Sequence, residues 1–159
     1  MIALGIALRP KLLIADEPTT ALDVTIQAQI LTLLRELKKN LKMSLLLISH
    51  DMGVISQNAD IINVMYAGQI LEQGETKQVI NNPQHPYTQA LLKCLPAQFN
   101  PESDDVLPSI PGYLPNLKRR PNGCQFGERC SYRKDECASL DIYKFDQHVK
   151  CLFPLGRPT

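Results

Sequence analysis

The feature that most constrains this chain is a pair of short, wholly apolar runs, each breaking off into polar residues, with one amphipathic stretch between them. Leu12-Leu13-Ile14-Ala15 runs straight into Asp16-Glu17-Pro18, and Leu45-Leu46-Leu47-Ile48 into Ser49-His50-Asp51. Apolar runs this short, without alternation, predict strands buried on both faces, as in parallel sheets. Between them Ile26, Ile30, Leu33, Leu34, Leu37 and Leu41 recur at spacings of three and four, which predicts a helix of about 17 residues with one apolar stripe. Asp23 stands where its N-cap belongs, and Asn40 and Lys42 mark the exit. Strand, helix and strand read as a βαβ unit with a parallel sheet. In such sheets ligands sit beyond the carboxyl ends of the strands, the edge that Asp16, Glu17 and His50 share.

Adjacent carboxylates at such an edge suit phosphate chemistry. Asp16 can hold a magnesium ion, directly or through water, and Glu17 is aimed to polarise a water for attack on phosphorus. His50 can donate to a phosphate oxygen. The plainer alternative is that Asp-Glu-Pro opens a solvated loop and that His50 is a structural or surface histidine.

Elsewhere, Met1 to Leu8 (MIALGIAL) reads as a short buried helix, ended by Pro10. Ile61 to Tyr66 and Gln69 to Gln73 flank Ala67-Gly68 and predict a hairpin. Thr76 to Asn81 and Tyr87 to Leu95 read as short helices, with His85 orienting a loop or capping the second. Pro96 to Pro121 reads as extended and proline-rich.

The 159 residues amount to about one domain. Lys and Arg number 17 against 16 Asp and Glu, and a formal charge of +1 argues against a sequence-independent nucleic-acid binder or a polybasic membrane anchor. The longest apolar stretch, Met1 to Leu8, falls far short of the roughly 20 residues of a membrane helix. The expectation is a cytosolic chain that does not itself cross a membrane.

LLIADEPTTALD followed by LLLISHD resembles the second half of an ATP-binding cassette (ABC) ATPase. In that resemblance Leu12 to Glu17 is the Walker B strand with its catalytic glutamate, Thr20 to Asp23 the D-loop, and His50 the switch histidine. It implies Asp16 for magnesium, Glu17 as general base, His50 as sensor of the γ-phosphate, and Asp23 facing a second ATPase subunit across a nucleotide sandwich. A phosphate cradle of the form G-x-x-x-x-G-K-[ST] is not here, because none of the eight glycines is followed by lysine. The family's glutamine loop and LSGGQ-type signature are missing too. The chain therefore resembles the C-terminal part of such an ATPase, beginning just past the signature, as a fragment or the product of a split gene. Alone it is expected to bind ATP weakly or not at all.

All five cysteines lie at or after Cys94, and ten of the 12 prolines at or after Pro83. Cys124, Cys130, Cys137 and Cys151 are spaced C-x(5)-C-x(6)-C-x(13)-C. No pair has the C-x(2)-C spacing of zinc ribbons, and spacing alone leaves free or structural thiols, a cubane iron–sulfur cluster and zinc all open. Cys94, beside Leu91, Leu92 and Leu95, reads as a buried apolar residue. HPYTQALLKCLP, an IPG segment, RPNGCQFGERCSYRKDEC and HVKC resemble the C-terminal extension of the D-type ATPase subunits of dipeptide and oligopeptide permeases, including nickel-type relatives. That resemblance implies a 4Fe–4S cluster on Cys124, Cys130, Cys137 and Cys151.

The expected architecture is thus α/β. Residues 1–75 are expected to be the C-terminal part of a P-loop NTPase (ABC ATPase) domain with parallel strands and helices. Residues 76–159 are expected to be an irregular cysteine-rich extension. The expected function is that of an ATP-hydrolysing subunit of a peptide importer, with ATP and Mg2+ as ligands. Membrane-spanning permease subunits and a second ATPase subunit are its expected partners, and the cytoplasmic face of the membrane its place. The rival expectation, from a different class, is an ATPase-inactive remnant serving only as an iron–sulfur or zinc interaction module.

Overall fold

The computed structural model describes residues 2–95, 108–139 and 148–156, which form two compact units, one up to Ala59 and one from Asp60 onward. The first unit holds α1 (Ile2–Ile6), β1 (Leu12–Asp16), α2 (Val24–Leu41), β2 (Ser44–Ile48) and α3 (Met52–Asn58). The second holds β3 (Ile61–Tyr66), β4 (Gln69–Glu75), α4 (Thr76–Asn81) and α5 (Pro86–Lys93), followed by short 3-10 turns at Gly127–Arg129 and Asp135–Ser139.

The βαβ reading holds. β1 and β2 pair in parallel, with Leu12 opposite Ser44 and Asp16 opposite Ile48. Asp23 caps α2, its Oδ1 accepting the Ile26 amide at 2.9 Å. The helix ends at Lys42, whose left-handed φ of 50° turns its amide back onto Lys38 and Lys39.

Three expectations need correction. The strands are not buried on both faces: their residues alternate, with Leu12, Ile14, Leu46 and Ile48 exposed. A sheet of two described strands has two open edges and too little width to be covered on both sides. The buried stripe of α2 runs through Ile30, Leu31, Leu34, Leu37 and Leu41, leaving Ile26 and Leu33 outward. A five-residue step from Ile26 to Leu31 turns them onto different faces at 3.6 residues per turn. α1 buries none of its residues, so its apolar character does not report packing among the described residues. One element, α3, has no counterpart in the sequence reading. It starts at Asp51, whose Oδ1 accepts the amides of Gly53 (2.8 Å) and Val54 (3.2 Å).

In the second unit the hairpin forms where expected. Ile62, Val64 and Tyr66 point inward while Ile61 and Met65 point to solvent. Ala67 (φ 48°) and Gly68 (φ 77°) make its two-residue turn, the conformation whose twist matches paired strands. The core is aromatic. Tyr66, Tyr87 and Phe126 meet with centroids 4.8–5.4 Å apart, tilted or edge-on, a preferred ring geometry. Leu71 completes it, and Cys124, Cys130 and Ile110 pack against it. Arg129 pins the proline-rich segment by donating to the carbonyls of Ile110 and Pro111, each at 2.8 Å. Residues 96–107 of that expected extended stretch lie outside the described residues.

Candidate functional site: a carboxylate edge and a four-cysteine cavity

The first site sits where β1 and β2 end. The ladder continues one step past β1, the Glu17 amide donating to the Ile48 carbonyl at 2.9 Å. Glu17 adopts φ 44°, a left-handed backbone that costs energy for a residue with a Cβ and that clusters at functional positions. The turn presents its side chain to two partners. Thr20 donates its hydroxyl to Glu17 Oε2 at 2.8 Å, and Glu17 Oε1 lies 3.0 Å from His50 Nδ1. The hydrogen bond with His50, then that from Thr20, hold the Glu17 carboxyl below its ordinary value of 4.5. Both groups remain open to solvent, His50 more than Glu17.

The structure thus joins Glu17 and His50, residues 33 apart in sequence, and sets Asp16 at the end of the same strand. Asp23 lies at the start of α2 with Oδ1 engaged by its own helix. Thr20, which the sequence placed only within a motif, emerges as the hydroxyl that fixes the carboxylate's orientation.

The second site lies in the other unit. Cys124, Cys130, Cys137 and Cys151 all line one cavity, together with His85, Pro86, Phe126, Tyr132, Leu152 and Phe153. Backbone structure brings them there. The Cys124 amide donates to the Cys137 carbonyl at 3.0 Å, and turns at Gly127 and Arg133 fold Cys130 back. Val149 makes an isolated antiparallel bridge to Glu72 beside the hairpin, delivering Cys151. Backbone groups two residues on lie against three of the sulfurs: Phe126 (with Gly127) at Cys124, Tyr132 at Cys130 and Phe153 at Cys151. These favour thiolate, but burial outweighs them, and Cys151 is pushed up to about 11. All five cysteines are free thiols, Cys94 among them, half-buried rather than buried. Among the described residues no three of His, Cys, Asp and Glu are grouped closely enough to hold a single metal ion.

Two residues besides the cysteines organise this cavity: Glu72, which the sequence did not mark, and His85, which it marked as a cap. Glu72 is buried, and its carboxylate accepts the amides of Gln84 (2.7 Å) and His85 (3.0 Å) at the entrance to α5. His85 caps α5 as expected, its Nδ1 accepting the Tyr87 amide at 3.0 Å. It is 1% exposed, and burial lowers its pKa to about 4, so the ring is neutral at physiological pH. No local signal marks Glu72, because its partners are 12 and 13 residues away. Glu72→Gln swaps an acceptor for a donor facing a backbone N–H. Hydrogen bonds to charged groups are worth about 1.5–3 kcal/mol, so protection of the Gln84 and His85 amides should fall about thirtyfold. Hydrogen exchange on the full-length subunit checks this, and unchanged protection would show that another group holds these amides.

Among the described residues no helix is long and apolar enough to cross a membrane. A family model described as the C-terminal region of oligopeptide/dipeptide transporters matches residues 71–137. The dipeptide transport ATP-binding protein DppD of Escherichia coli K12 is 50% identical over 166 residues, covering 100% of this chain and 50% of that protein. DppD of Haemophilus influenzae is 51% identical, covering 98% of this chain and 48% of that protein. A probable D,D-dipeptide transport ATP-binding protein, DdpD of Escherichia coli K12, is 49% identical, covering 97% and 48%. The solved structure of cbiO1 from Clostridium perfringens, part of an ABC transporter complex, matches 51% of this chain and 32% of its own at 34% identity and a TM-score of 0.48. The chain spans about half the length of the curated relatives it matches. None of these comparisons supports the rival reading of an iron–sulfur or zinc interaction module. With about 50% identity to DppD across the whole chain and the transporter-specific model over residues 71–137, the chain matches the C-terminal portion of the ATP-binding proteins of peptide-importing ABC transporters.

Proposed function

We propose that these residues supply the hydrolytic edge of an ATP-driven dipeptide or oligopeptide importer. One observation carries the reading: a carboxylate held between a hydroxyl and an imidazole at the carboxyl end of a parallel strand pair. Phosphoryl transfer to water needs in-line positioning and charge neutralisation rather than covalent chemistry. Glu17, ionised and oriented, accepts a proton from the attacking water. His50, as the imidazolium, donates Nδ1–H to Glu17 and Nε2–H to a phosphate oxygen. Asp16 is the residue for Mg2+, which when bound would offset phosphate charge, and Asp23 faces a second ATPase subunit. The phosphate cradle comes from a G-x-x-x-x-G-K-[ST] stretch, which this sequence does not contain. Residues 1–75 belong to the ATPase core and 76–159 to the importer-specific extension. The assembled subunit works peripherally on the cytoplasmic face, against membrane-spanning permease subunits.

The four-cysteine cavity fits a 4Fe–4S cluster in kind. Its donors are all thiols, its walls are apolar, and backbone groups lie against three of the sulfurs. A single zinc ion fits less well, because its ligands must close to about 2.3 Å from the metal and no such grouping is present among the described residues. When bound, the cluster would cross-link the segments around Cys124–Cys137 to the tail at Cys151.

Deleting the gene should abolish uptake of labelled dipeptide by the cell, and the full-length subunit should restore it. Undiminished uptake in the deletion strain would overturn the importer reading.

A further inference from the structure

His85 is the cavity-lining residue whose polar atoms are not accounted for by the fold. Its Nδ1 accepts the Tyr87 amide, so the neutral ring carries its proton on Nε2. That nitrogen is buried and has no hydrogen-bond partner among the described residues. The Lys150 carbonyl stands near enough to favour the ring proton without completing a bond. An unpaired buried N–H is costly, so such a donor is expected to serve a ligand. Tyr132, the other cavity-lining side chain able to donate, already gives its hydroxyl to Gln89 at 3.1 Å. The remaining walls, Pro86, Phe126, Leu152 and Phe153, offer no polar side chain to an anionic thiolate group. The His85 ring is held by the Tyr87 amide at Nδ1 and lies tilted against Phe126, with centroids 6.2 Å apart.

We propose that His85 donates its Nε2–H to a sulfur of the group held by the four cysteines and thereby raises that group's reduction potential. The inference rests on the cluster reading above. A hydrogen bond to sulfur stabilises the more negative, reduced state, and such bonds are among the levers by which proteins set cluster potentials. His85 acts through the bound group's electronics and as a positioning residue, distinct from the thiolates that hold it.

The test uses the full-length subunit prepared anaerobically. Iron and acid-labile sulfide are measured first; their absence would overturn the cluster reading and this inference with it. With both present, electron–nuclear double resonance on the reduced wild-type protein decides the point. Protein carrying 15N-histidine should show a histidine nitrogen coupled to the cluster, and absence of that coupling would overturn the inference. The companion variant is His85→Asn, because asparagine is a good N-cap and can keep the Tyr87 amide bond while removing Nε2. At the wild-type midpoint potential its oxidised-to-reduced ratio should move from one to about ten, the equivalent of one ordinary hydrogen bond. An unshifted ratio in cluster-loaded His85→Asn would also overturn it. Should that variant fail to assemble a cluster, the wild-type coupling alone supports or overturns the hydrogen bond.

Discussion

Glu17→Gln in the full-length subunit is expected to lower ATP turnover about a thousandfold while leaving ATP binding intact, the scale of losing a positioned general base. Glutamine keeps the size and an oxygen for Thr20 to donate to. It cannot take a proton from water. The two hydrogen bonds that hold Glu17, from His50 and Thr20, also lower its pKa. The base form is therefore present at all pH values above a point lower than 4.5, and the acid limb attributable to this residue should lie below the ordinary carboxylate range. Steady-state hydrolysis across pH, with calorimetric ATP binding on the same samples, checks both statements. Normal turnover in the variant would remove Glu17 from the base role. Loss of binding along with turnover would make it a structural residue of the edge.

Gly123→Ala should dismantle the cysteine cavity. Gly123 has φ 85°, and a Cβ there would lie 2.4 Å from the Cys137 carbonyl oxygen and 2.6 Å from that of Ala138. Both are backbone atoms, so no side chain can swing aside. The strained dihedral and the overlap together should cost about 3 kcal/mol or more, relieved by parting the segments that carry Cys124 and Cys137. The Cys124 amide, which donates to the Cys137 carbonyl, should lose its exchange protection, and on the proposed cluster reading iron retained per chain should fall several-fold. Wild-type protection with full iron content would show that the backbone accommodates the methyl. ATP hydrolysis is the internal control, because Glu17 and His50 belong to the other compact unit.

The candidate sites were legible to different degrees. The carboxylate edge could be read because each part is local: an apolar strand, the acidic pair that ends it, and a neighbouring strand ending in His50. Parallel βαβ connectivity then leaves little freedom in where the strand ends fall. The hairpin was legible through Ala67-Gly68, and α4 and α5 as two short helices, the second with His85 as a candidate cap. α3 was not, because seven residues with a glycine carry too little periodicity; only the Asp51 cap marks it. The choice of face on α2 was also beyond spacing, since leucines lie on both sides and burial depends on what the helix meets.

What the sequence by itself determined is the set of local elements and the chemistry available at their ends: strands, the Asp23-capped helix, acid pair, histidine and four thiols. What only the tertiary structure decided is which of these meet and in what state. His50 anchors Glu17 across 33 residues, Glu72 holds the entrance of α5, and His85 joins the cysteines with its Nε2 unspent. The physical reason is range. Propensity, capping and periodicity act over a few residues, whereas a hydrogen bond between distant segments depends on loop paths and on burial. Burial is also what neutralises His85 and raises the thiols of Cys124, Cys130 and Cys151, and it exists only once the aromatic core of Tyr66, Tyr87 and Phe126 has closed around them.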